Sequence, residues 1–197
     1  HWAWNDVVGW IDFSPTGSAT LHDNASIVVN NTNLQGFASS SVGFIAVNCD
    51  VSNPNQSDTC VPSNFQVSND GNGNLSGWAW NDAIGWVSFC GNGSGGSVPF
   101  AGGWACPQNP TYQVTITTTT DVNGQPVLCV LQNPTSRSVE CGKFHGWAWN
   151  DAVGWISFNC ANTDTCTGGG GISIMDYWVK TDWVSPPPNF PSADLTS

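Results

Sequence analysis

The side chains of this chain that could do chemistry are few, and their spacing limits that chemistry. Its three histidines are His1, His22 and His145. An amino-terminal His1 could chelate copper through its amine and ring, with His22 or His145 as a third nitrogen, and the reaction would be oxidation of a polysaccharide. A solvated imidazole accounts for each histidine as well. Glu140 is the sole glutamate, and aspartates recur in Asn-Asp pairs at 5/6, 81/82 and 150/151. Equivalent placement of these pairs suits a turn better than acid–base work, which needs two carboxylates on one substrate. Asp70-Gly71-Asn72-Gly73-Asn74 has the look of a calcium loop, but it lacks the sixth-position glycine and the closing acidic residue, so it too reads as a turn. There is no G-x-S-x-G. The expectation is a protein that is not an enzyme and needs no cofactor or metal.

The eight cysteines fall into sequential pairs, Cys49/Cys60, Cys90/Cys106, Cys129/Cys141 and Cys160/Cys166, each bracketing a loop rich in Gly, Asn, Ser and Pro. Local disulfides are expected, each contributing about 3 kcal/mol. Zinc is a weak alternative, since there is no C-x-x-C.

These groups must be positioned by a repeat. Gly77-Trp78-Ala79-Trp80-Asn81-Asp82-Ala83-Ile84-Gly85-Trp86-Val87-Ser88-Phe89-Cys90 recurs from Gly146 to Phe158, opens the chain at 1–13, and has a worn copy from Gly36 to Val47. Alternation on either side of Asn-Asp predicts a hairpin in each copy. A turn over Asn81–Ile84 would set Trp80 opposite Gly85 and Ala79 opposite Trp86, with indoles on both faces and therefore cover on both faces. The repeat tryptophans then read as core. Sugar stacking is left to aromatics outside the frame: Phe100, Trp104, Trp178 and Trp183.

A further strand precedes three of the four copies: Ser26–Val29, Phe65–Ser68 and Tyr112–Thr115. Asp70-Gly71 and Asn123-Gly124 are hairpin-turn signals. An extra hairpin, Thr115–Thr120 with Val127–Leu131, is expected in the long approach to the last copy. The fold class is all-β: four antiparallel three-strand units, stapled by local disulfides and arranged as a sandwich or stack, with propeller-like closure as the alternative. The repeat domain spans 1–167, with copies at 1–13, 36–49, 77–90 and 146–160. A Gly tether at 168–171, a terminal strand at 172–184 and a Pro-rich extended tail at 185–197 follow.

Net charge is −11, with Arg137, Lys143 and Lys180 as the only cations besides histidine. Clustered basic residues for nucleic acid are missing, and no apolar run is long enough for a membrane span. Cysteine usage points to an oxidising compartment, so a secreted or cell-surface protein is expected; a start at His1 fits removal of a leader. Asn24, Asn30, Asn55, Asn74 and Asn92 lie in N-x-S/T sequons, which makes glycosylation a further expectation.

The copies resemble tandem G-W-A-W-x-x-x-x-G-W-I-x-F units of secreted and surface proteins of bacteria, often with a Tyr-x-Val strand upstream. The resemblance covers the copies and the strands around Val28, Val67 and Val114. It implies a cell-surface or extracellular role and brings no activity or catalytic residues. The second copy departs from it, with Phe37, Ser39 and Phe44 in the indole positions.

The first copy has no strand ahead of it, while Ile172–Val179 is strand-like with no copy of its own. Such a strand either closes a ring on its own chain or enters the next molecule by strand addition. Donation that does not close generates a filament. The function expected is that of a structural subunit of an extracellular, pilus-like fibre, its identical subunits joined head to tail. The interface would contain His1, Trp2, Trp4, Ile172, Ile174, Tyr177, Trp178, Val179, Trp183 and Phe190. A monomeric carbohydrate-binding or adhesive module is the alternative.

Overall fold

The structure is a computed structural model that describes residues 2–14, 27–30, 32–49, 65–91, 111–120, 126–127, 142–163 and 177–179. Each repeat copy is a hairpin: β1 (Trp2–Asn5) with β2 (Gly9–Asp12), β5 (Phe37–Ser40) with β6 (Gly43–Ala46), β8 (Leu75–Asn81) with β9 (Gly85–Ser88), and β14 (Phe144–Asn150) with β15 (Gly154–Ser157). Shorter strands lie between them: β3 (Val28–Val29), β4 (Leu34–Gln35), β7 (Val67–Asn69), β10 (Cys90–Gly91), β11 (Tyr112–Ile116), β12 (Thr119–Thr120) and β13 (Pro126–Val127).

The hairpins join edge to edge in chain order. β2 pairs β5, β6 pairs β8, β9 pairs β14, and β15 returns to β1 through Trp4 and Ser157. The result is a closed eight-stranded antiparallel barrel. The expected sandwich or stack is therefore replaced by ring closure. Closure removes the exposed edges that a Trp-rich open sheet would otherwise present.

The pairing register differs by one residue from the expected one. Trp80 lies opposite Trp86, Ala79 opposite Val87 and Asn81 opposite Gly85. A shift of one flips every side chain of one strand relative to the other. All three indoles of a copy therefore share the outer face, and Ala79 and Val87 share the inner one. The barrel interior is Ala3, Ile11, Ala38, Ile45, Ala79, Val87, Ala148 and Ile156, all at most 4% exposed. In each hairpin an alanine faces Ile or Val across the strands. Small opposite large is how a narrow barrel fills its bore.

The end of the barrel is closed by aromatic packing. Phe13, Phe89 and Phe158 follow the second strands of their copies; Phe158 stacks on Phe144 at 5.9 Å and meets Phe13 edge-on at 5.2 Å. The strands that precede each copy dock at this end. Backbone N–H groups of Ile27, Val67 and Val114 donate to the carbonyls of Phe13, Val47 and Phe89. The fourth equivalent place, on Phe158, is taken by Val179 of the same chain, whose N–H donates at 3.1 Å. Tyr177-Trp178-Val179 is thus the leading strand of the first copy, and Trp2 N donates to Trp178 O at 3.0 Å. The vacancy expected beside the first copy is filled from within the molecule. All four docking residues, Ile27, Val67, Val114 and Val179, are fully buried.

The extra hairpin is present in a shorter form, β12 paired with β13; Thr115 and Ile116 belong instead to β11, which pairs with β14, and residues 128–131 lie outside the described residues. Cys49, Cys90 and Cys160 are buried and disulfide-bonded. The remaining cysteines, Cys60, Cys106, Cys129, Cys141 and Cys166, lie outside the described residues, as do the Gly tether and the Pro-rich tail.

Candidate functional site

The Asn-Asp pair divides its work between the inside and the outside of the barrel. Asn5, Asn81 and Asn150 are almost fully buried. Asn81 Oδ1 accepts from the N–H groups of Ala83 and Ile84 at 2.9 and 3.0 Å, which shapes its own turn. Its Nδ2 donates across to the carbonyl of Phe44, in the neighbouring hairpin, at 2.8 Å. Asn150 reaches Ile84 and Trp86 in the same way, and Asn5 reaches Val153 and Trp155. The worn copy has Ser40 in this position and a turn shorter by one residue; there Ser41 Oγ donates to Val8 O at 2.7 Å. Each hairpin therefore grips the next around the ring, always in the same sense. This ring of links is the turn role expected of the pairs, carried further into the packing between hairpins.

The aspartates face outward and are exposed. Asp6, Asp82 and Asp151 accept from the indole N–H of Trp4, Trp80 and Trp149 at 2.9, 2.8 and 2.8 Å. The second indole of each copy is thereby tied down, and its ring lies over the turn glycine; for Trp80 the approach to the Cβ direction of Gly85 is 3.9 Å. The third indole sits at the centre of an edge-to-face cluster. Trp155 meets Trp149 at 4.7 Å, Trp147 at 6.2 Å and Tyr112 at 5.1 Å. Trp10 meets Trp4, Trp2 and Tyr177, and Trp86 meets Trp80, Trp78 and Phe65, with closely similar geometry. Edge-to-face aromatic pairs stabilise beyond their buried area and hold each ring in one orientation.

Clamped in this way, Trp155 is still 42% exposed, Trp2 39% and Phe44 36%. The repeat tryptophans line the outer face of the barrel; the core reading holds for Trp78, which is buried, while Trp2 and Trp155 are exposed and the other six are half-buried. Burial pushes the Tyr112 phenol above its ordinary value despite a hydrogen bond with Ser88, and the charge of Asp151 adds to the rise. Tyr112 thus stays a neutral donor beside Trp155 across the physiological range.

The aromatics outside the frame do not compete with this wall among the described residues. Trp178 is half-buried, with the Lys143 ammonium 4.6 Å over its ring. Phe100, Trp104 and Trp183 lie outside the described residues, together with Ile172, Ile174, Phe190, His1 and His22. His145 Nδ1 lies 3.4 Å from Asn159 Nδ2. Among the described residues no group of three or more His, Cys, Asp or Glu side chains is placed to hold a metal. Of the sequon asparagines, Asn74 is exposed and Asn30 half-buried, while Asn24, Asn55 and Asn92 lie outside the described residues. The Asp70–Asn74 segment is a turn held by its own carboxylate: Asp70 accepts from the backbone N–H groups of Asn72 and Asn74 and from the Asn74 amide at 2.7 Å.

The chain matches no family model, no curated protein and no solved structure. Among the described residues no helix is long and apolar enough to cross a membrane. The barrel strands themselves run four to seven residues, where a membrane-crossing barrel strand needs about nine to eleven.

Proposed function

We propose that the protein is an extracellular binding module whose outer indole wall takes carbohydrate. The observation that carries this reading is Trp155: a large ring held by three edge contacts, yet open to solvent over 42% of its surface. A ring already fixed loses little side-chain entropy when a ligand lies on it. A sugar presents an apolar C–H face to such a ring and hydroxyls at its rim. The Asp151 carboxylate, with one oxygen on Trp149 Nε1 at 2.8 Å, keeps lone pairs for those hydroxyls. Scarce cations and net charge −11 favour neutral or basic ligands over phosphates and nucleic acid. In this reading the protein is secreted or displayed at the cell surface, is not an enzyme, and pairs its cysteines locally as 49/60, 90/106, 129/141 and 160/166.

The test is a glycan array on the native protein, followed by titration of the strongest binder against Trp155→Ala and Trp155→Phe. Alanine is expected to weaken binding at least tenfold and phenylalanine to restore part of it, the unfolding midpoint of the phenylalanine variant staying close to that of the native chain. No binding to any neutral glycan, or equal binding by the alanine variant, removes the reading.

A further inference from the structure

Three of the four leading strands run on through the chain into the hairpin they serve: Val29 to Leu34, Asn69 to Leu75 and Ile116 to Phe144. The fourth, Tyr177–Val179, has no chain running on into the first hairpin; it is seated by non-covalent contacts between the last hairpin, which supplies most of them, and the first. Val179 N donates to Phe158 O at 3.1 Å, Phe144 N to Val179 O at 2.8 Å, Cys160 N to Tyr177 O at 2.9 Å and Trp2 N to Trp178 O at 3.0 Å. Tyr177 OH donates to Ser157 Oγ at 2.8 Å, its ring meets Trp10 edge-on at 5.6 Å, and Val179 is fully buried. This is β-strand addition, in which backbone bonds hold the strand and alternate side chains fill pockets. Such a seat recognises the strand and is blind to the molecule that carries it.

We propose that the seat is an exchange site, able to take residues 177–179 from a second copy of this chain. The occupant is specified by the fit just described: a tyrosine whose hydroxyl reaches Ser157, and a β-branched residue two places on that fills a dry pocket against Phe158. The strand is tethered to the last hairpin through residues 164–176, which include Gly168–Gly171. That tether gives the chain's own strand an effective concentration on the order of a millimolar. In dilute solution each molecule therefore closes on itself, and exchange needs the resident strand to be withdrawn or outnumbered. Each exchanged strand leaves its own molecule's seat open for another, so the contact is heterologous and propagates head to tail. This is the route by which a filament subunit of the kind expected from the sequence would assemble. It stands apart from the carbohydrate reading, and either can fail alone.

Val179→Asp places a charge in the dry pocket and expels the resident strand. A labelled synthetic peptide of residues 172–184 is then added to this full-length variant. Saturable binding is expected, with the unfolding midpoint rising toward that of the native chain, whereas the peptide carrying the same Val179→Asp change has no effect. A variant that recovers its fold only when the native peptide is present supports the proposal equally. In parallel, the native chain is partly denatured and refolded close to millimolar concentration, diluted, and analysed by light scattering behind size exclusion. Species at multiples of 20.9 kDa are expected. Failure of the native peptide to bind or rescue the variant, together with refolding to monomer alone, overturns the proposal.

Discussion

Asn81 holds its own turn and its neighbour's carbonyl through one side chain, and alanine at this position would leave two N–H groups and a carbonyl, all part-buried, without that partner. The expected cost of Asn81→Ala is about 2–4 kcal/mol, since each stranded buried polar group costs on the order of 1–3. By calorimetry this is a fall of roughly 5–15 °C in Tm. Asp70 is a different case. Partial burial pushes its carboxyl up, but hydrogen bonds from the Asn74 side chain and from the Asn72 and Asn74 backbone outweigh this and bring it below its ordinary value. A depressed folded-state value adds stability above the unfolded carboxylate range and loses it as pH falls through the folded value. Asp70→Asn should therefore be less stable than the native chain at pH 6, and the gap should close below the usual aspartate range. Urea titrations at several pH values measure it. Both roles were open to view in the sequence only as "turn". Nothing in Asn-Asp says that one residue points into the barrel and the other onto an indole.

Gly77 joins a leading strand to its hairpin, with φ of 90°, and a Cβ there would overlap the carbonyl oxygen of Gln66. Gly85 closes the turn at φ of 77°, where a Cβ would meet only the Trp80 ring at 3.9 Å. Gly85→Ala should cost about 1–2 kcal/mol for the left-handed backbone alone. Gly77→Ala should cost clearly more, because the rigid backbone of the leading strand cannot give way; chemical denaturation of the two variants side by side ranks them. At this scale much was legible. The hairpins, the leading strands and the extra hairpin follow from alternation and turn residues. The register did not, because Ala, Val and Ile opposite Trp make both faces of the hairpin apolar. A pattern of polar and apolar residues then no longer marks the dry side. Tyr177-Trp178-Val179 matches the leading-strand pattern of Tyr112-Gln113-Val114; the sequence marks Ile172–Val179 as a spare strand but leaves open whether it closes the ring on its own chain or enters another molecule.

The molecule as a whole is a ring whose last strand completes its first unit. Ring closure depends on pairings such as Trp4 with Ser157, between residues too far apart for any local pattern to foretell. Among the described residues one continuous apolar cluster runs through all four copies, from Ala3 to Val179. Heat or urea should therefore unfold the chain in a single step with its disulfides intact, wherever a destabilising change is placed. Two separated transitions by circular dichroism and calorimetry would contradict a shared core. The indole pairs carry a consequence of another kind. Trp4–Trp10, Trp80–Trp86 and Trp149–Trp155 each lie 4.7 Å apart, their planes inclined at 65–67°. Identical chromophores that close and that skewed share their excited states, so the protein contains three copies of one optical dimer. Its ultraviolet ellipticity will carry that coupled band, and a standard deconvolution of the spectrum into strand and helix content will misjudge the barrel.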